Sequence, residues 1–183
     1  MTKYSPDQII QITDGYENLD QSYNDIIMSY FSHNFTNDRA KEYVNHGFMR
    51  RLSSLKRCIE IVFDFLPPDK AETPDRENVT DATIALQSFV INVFGCVDNL
   101  AWILVHELKI TDDKDNQLPN TYVGLRSANK SVLKALSDEF CDYLIGIEEW
   151  FNLQENYRHS LAHRIPLYIP PYFLSEENTK KIR

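Results

Sequence analysis

Glycine and cysteine are scarce in this chain, five and three among 183 residues. With so few glycines, long segments run without a turn-forming residue, and none shows the apolar–polar alternation of a strand, so the fold class predicted is all-α. Cys58, Cys96 and Cys141 are odd in number, far apart and set among apolar neighbours. That excludes a disulfide framework and a CxxC metal site, and it fits a reducing cytosol. A GxxxxGK loop, a dinucleotide-binding glycine fingerprint, a GxSxG elbow and HExxH are all missing, which removes the common nucleotide-hydrolysing, esterase and zinc-protease readings. Positive charge is short as well: 19 Lys and Arg against 27 Asp and Glu give a net charge of −8. A surface that binds nucleic acid everywhere needs clustered cations, so only a local basic site is left. The first residues, MTKYSPDQII, lack the basic start and apolar core of a signal peptide, so the expected location is cytoplasmic.

What is present is helical periodicity across one domain, 1–183. Ile9, Ile12, Tyr16, Leu19, Tyr23, Ile26 and Tyr30 recur every three or four positions and predict one helix from about Pro6 to Phe31. After SHNFTND, with Asn or Asp as cap, Val44, Phe48, Leu52, Leu55, Ile59, Val62 and Leu66 predict a second, ended by Pro67 and Pro68. A third, from Thr80 or Asp81 to about Leu108, is apolar on nearly all sides and so central. Within it, FVINVFGCVDNLAWILV resembles a membrane span, but Asp98 and Asn99 would lie mid-bilayer, at roughly 2.5–3.5 kcal/mol or more for the charge, and no membrane contact is expected. Ser88, Asn92, Gly95, Asn99 and His106 fall at helical spacing, a narrow polar stripe that requires a polar neighbour. A short helical stretch near Ser127 to Leu136 leads to Ser137, the cap of a last helix over about 138–164. Pro166 stops it, and residues 165–183 form an extended Pro-rich segment and a charged tail.

The last helix ends in a basic cluster, Arg158, His159, His163 and Arg164, in an otherwise acidic protein. Stepping along the stripe Phe140, Leu144, Ile147, Phe151 and Gln154 reaches Arg158, about five turns on, so Arg158 is expected to point inward or into an interface. Two roles fit: a buried arginine neutralised by a carboxylate such as Asp98, or a functional one. His163 lies about 140° around an ideal helix from Arg158. At the negative end of the helix it is either a proton donor or a simple C-terminal cap. His159 and His163 are four apart, as zinc ligands are, but no third ligand has the right spacing, and no metal or cofactor is expected. His46, Arg50, Ser53 and Arg57 share one face of the second helix, either a solvated row or a steering surface for a phosphate backbone. Tyr143, Trp150 and Tyr157 repeat every seven residues on the last helix, to complete the monomer core or to meet a second copy.

Arg158-His159-Ser160-Leu161-Ala162-His163 resembles the signature of the HEPN superfamily (higher eukaryotes and prokaryotes nucleotide-binding domains). That signature is an arginine, usually a polar Asn, Asp or His next, then a histidine after four to six intervening residues. The following RIPLYIPP resembles an uncharacterised bacterial branch of HEPN-like proteins. The resemblance implies a four- to five-helix up-and-down bundle that dimerises, with motif helices of two subunits around a shared cleft. It also implies a metal-independent endoribonuclease of toxin–antitoxin, phage-defence or RNA-processing type, leaving a 2′,3′-cyclic phosphate, or else a noncatalytic module that binds a nucleotide or a protein. In that scheme Arg158 holds the phosphate, His163 is general acid or base and His159 orients or assists. Beside it, on the residues' own placement, Arg164, Arg50, Arg57 and His46 are the candidate substrate-binding residues, and Asp98, Asn99 and Asn92 the polar stripe near the site. The expected partners are a second copy, RNA or a nucleotide, and a cognate antitoxin.

Overall fold

The computed structural model describes residues 4–70 and 74–170, and among them the protein is all-α. The described backbone has no strand beyond a single isolated bridge, Thr111 with Gln117. Helices α1 (Pro6–Glu17) and α2 (Leu19–Ser32) replace the single first helix expected. The break falls at Asn18, whose side-chain amide donates to the Asp14 carbonyl at 2.8 Å. Such local bonding gives the backbone an alternative to continuing the helix. Neither helix buries a residue completely. Both lie against α4 (Met49–Phe65) through a Tyr16–Phe63 stack at 4.0 Å, a Tyr23–Ser53 hydroxyl pair at 2.9 Å and an Asp20–Lys56 ion pair at 2.8 Å.

The turn SHNFTND caps as its sequence suggests, with the Asn37 side chain accepting from the Arg39 and Ala40 amides at the start of α3 (Asp38–Glu42). A π-helical turn, Tyr43–Phe48, joins α3 to α4 and turns Val44 and Phe48 into the core. α5 (Arg76–Glu107) is the long central helix, starting several residues before the expected Thr80. The early turn is held because Val79 and Ala82 are buried. Among the described residues α5 is the one helix long and apolar enough to cross a membrane, with mean hydropathy 1.7 over its most apolar 18 residues, and here it packs on α3, α4 and α8. At its end, Glu107 accepts from the Thr36 and Asn37 amides at 2.8 and 3.1 Å, which lowers its pKa and ties α5 to the start of α3.

A loop and the short α6 (Lys130–Leu133) lead to Ser137, whose hydroxyl accepts from the Phe140 amide as expected. The single last helix is instead two, α7 (Asp138–Gly146) and α8 (Glu148–His163), parted at Ile147. Arg126 supplies a reason for the break. Its guanidinium grips Glu148 at the first turn of α8, one turn further Asn152, and Glu155, while Glu148 also accepts from the Ser127 amide at 3.1 Å. The start of α8 is thus pinned to the preceding loop rather than to the axis of α7. Beyond α8, the Gln87 amide donates to the Leu167 carbonyl at 2.6 Å, and the Ile169 amide to Thr83 Oγ1 at 3.3 Å. Residues 166–170 therefore run antiparallel along α5 without helical structure. The rest of the Pro-rich segment, 171–183, lies outside the described residues.

The core has two centres joined by α5. One gathers Ala101, Val105, Leu118, Leu125, Val132, Leu144 and Phe151, and the other Val44, Phe48, Cys96 and Ile103. Burial pushes the Cys96 thiol up to about 11, so it stays neutral and acts as a small apolar group. Leu144 is 3 % exposed. Leu144→Ala is therefore expected to cost about 2–5 kcal/mol, read as a fall in the urea midpoint at unchanged slope.

Candidate functional site at the end of α8

The polar stripe of α5 finds its neighbour on α4 and the π-helical turn. The two strands of helix run antiparallel, so Gly47 faces Asn99 and Arg51, one turn later, faces Gly95 and Asn92. Arg51 Nη1 donates to Asn92 Oδ1 at 3.2 Å, and Asn92 Nδ2 donates back to the Ser88 carbonyl at 2.9 Å. Both glycines are there for close approach. A Cβ on Gly47 would lie 2.9 Å from the Asn99 carboxamide, and one on Gly95 would lie 2.6 Å from Arg51 Nε. Real Cβ atoms do not come that near. The Asn99 Oδ1 atom is buried without a protein partner. Of the stripe residues, then, Asn92 belongs to Arg51 and Asn99 to the π-helical turn.

Arg158 also reaches α5, from the other flank. Its guanidinium carbon sits 4.3 Å from the centroid of the Phe94 ring, a cation–π contact. The residue is exposed, so of the two expected placements, inward or into an interface, it is not the buried one. The break at Ile147 takes Phe140, 39 % exposed, off the stripe, but Phe151 and Arg158 both lie on α8, two turns apart, and share its α5-facing side. Asp98 lies one turn on from both Phe94 and Gly95. As a whole residue it keeps open surface, yet its carboxyl is crowded. Loss of water pushes its pKa up, while the positive charges of Arg158 and Arg51 pull it down. Asp98 therefore attracts Arg158 without a direct ion pair: the described ion pairs do not include one between them.

His159 and His163 are both exposed on the last turns of α8, with ring centroids 6.2 Å apart. His159 Nε2 lies 3.7 Å from Glu155, whose other oxygen takes Arg126. α8 stays helical through His163. Arg158 and His163 thus remain about 140° apart around one helix, and no early turn of the backbone brings them together. Among the described residues, no three His, Cys, Asp or Glu are grouped to hold a metal ion.

The row on α4 goes elsewhere. Arg50 bonds to His46 Nδ1 at 3.1 Å, Ser53 turns to Tyr23 of α2, and Arg57 pairs with Glu60 at 3.0 Å. None of the described contacts joins His46, Arg50 or Arg57 to the motif, and Arg164 is exposed just past the helix end. The α4 residue that does reach the α5 stripe is Arg51, about 100° around the helix from Arg50. The sequence carries a signal for it: two glycines inside apolar helices, each facing a polar side chain at antiparallel register. Arg126 carries none, because its partners are set only by the fold. No known family model matches this chain, and neither a curated protein nor a solved structure is similar enough to match it.

Proposed function

We propose that this protein is a metal-independent endoribonuclease of HEPN type, acting in the cytoplasm as a homodimer whose site combines Arg158 of one chain with His163 of the other. The observation that carries the reading is the setting of Arg158. Its guanidinium is braced on Phe94 and drawn by Asp98, yet it stays open to solvent, as a phosphate-holding group must be. Exposed apolar area on the same helices supports a second copy. Tyr143, Trp150, Leu153 and Tyr157 are 59, 39, 47 and 36 % exposed.

The chemistry needs little from the protein, because RNA carries its own nucleophile. The 2′-hydroxyl oxygen attacks the adjacent phosphorus, and the bond from phosphorus to the 5′-oxygen breaks. A base takes the 2′ proton and an acid returns one to the leaving 5′-oxygen, giving a 2′,3′-cyclic phosphate and a 5′-hydroxyl. Arg158 neutralises charge on the non-bridging oxygens through its planar fork, and His163 moves the proton.

The test is purified protein with single-stranded RNAs of varied sequence in EDTA. Cleavage to 2′,3′-cyclic phosphate ends is expected. Binding without cleavage would replace this reading with the noncatalytic nucleotide-binding module.

A further inference from the structure

We infer that Arg51 and Arg158 together form one anion site on the Asp98 face of α5, and that the anion is a phosphate, the phosphodiester of an RNA strand. This deepens the ribonuclease reading and rests on it for the source of the phosphate. The geometry comes from three helices. Arg51 of α4 lies on Gly95, and Arg158 of α8 lies on Phe94, the preceding residue. Asp98, one turn on from both on α5, is the carboxylate that feels both positive charges. Two guanidinium groups against one carboxylate leave a unit of positive charge in this cluster, in a protein of net charge −8.

Each arginine is held in place by something other than a tight ion pair. Arg51 is positioned by Asn92 and by the bare backbone of Gly95, and Arg158 by an aromatic face. Donors held this way keep N–H groups free for an incoming oxygen anion, and their geometry is set before it arrives. Asp98 offsets part of their charge until a phosphate takes over the neutralisation.

Gly95→Ala is the discriminating variant. The added methyl collides with the far end of the Arg51 side chain, which can swing away, and alanine is the better helix former, so the fold is kept while Arg51 leaves its bed. Two probes are used: inorganic pyrophosphate, by titration calorimetry, and a single-stranded RNA oligonucleotide, by fluorescence polarisation in the His163→Ala background, where the strand stays whole. Both dissociation constants are expected to rise about tenfold or more in Gly95→Ala and in Arg51→Met, at unchanged or higher thermal midpoint for Gly95→Ala. Arg51→Lys restores part of the pyrophosphate affinity. Equal affinity of wild type and both variants for both probes overturns the inference, and leaves the ribonuclease reading standing if RNA is still cut. Pyrophosphate binding that depends on Arg51, with neither RNA binding nor cleavage, keeps the anion site and removes RNA as its ligand. No binding of either probe by wild type overturns the site altogether.

Discussion

His163→Ala is expected to lower the rate of RNA cleavage by about 10² or more, through loss of proton transfer, while the thermal midpoint stays within a degree or two of wild type. The second half of that expectation follows from the structure: His163 is exposed in the last turn of α8, and no described hydrogen bond or ion pair uses its ring. The pairing of its effect with Arg158 tests the composite site directly. Mixing Arg158→Ala protein with His163→Ala protein, each inactive alone, should restore about a quarter of wild-type activity. With random pairing half of the dimers are mixed, and each mixed dimer holds one intact site of two. A site confined to one chain gives no recovery. A loss of only two- or threefold in His163→Ala, with product ends unchanged, would remove the histidine from the chemistry.

Arg158→Lys is expected to reduce cleavage by about 10²–10³ while keeping the charge, because an ammonium cannot present the two parallel N–H groups that a phosphate in transition accepts. The same substitution barely changes stability. Arg158 is exposed and its main contact is the Phe94 ring, so even Arg158→Ala should cost only about 0.5–1 kcal/mol. This differs from a buried arginine, whose removal would strand Asp98 in a dry core and unfold much of the protein. Cleavage and a thermal melt are read side by side. Activity preserved in the lysine variant would mean that only charge matters, and the bidentate role fails. A large drop in melting temperature for the alanine variant would make Arg158 a structural residue instead.

The helical class, the apolar central helix, the caps at Asn37 and Ser137 and the stop before Pro166 were legible from the chain alone. Each depends on neighbours a few residues away: periodicity, a side-chain oxygen near free amides, a proline that bars helical backbone. The basic cluster at 158–164 was legible for the same reason, being contiguous. The polar stripe on α5 was visible as a demand, but its answer was not. Arg51 and Arg50 are adjacent, and only the antiparallel packing of α4 on α5, with Gly47 against Asn99 and Gly95 under Arg51, decides which of them meets the stripe. The breaks at Asn18 and Ile147 were likewise hidden, since the apolar period runs through both. Ile147 separates two helices where Arg126, more than twenty residues upstream, pins Glu148 and Glu155. Arg158, two turns after the buried Phe151 on α8, keeps the direction that its period gives, whereas the place of the break does not follow from that period. Tertiary structure decided it because a helix follows its own period only until a contact with a distant residue holds its next turn elsewhere.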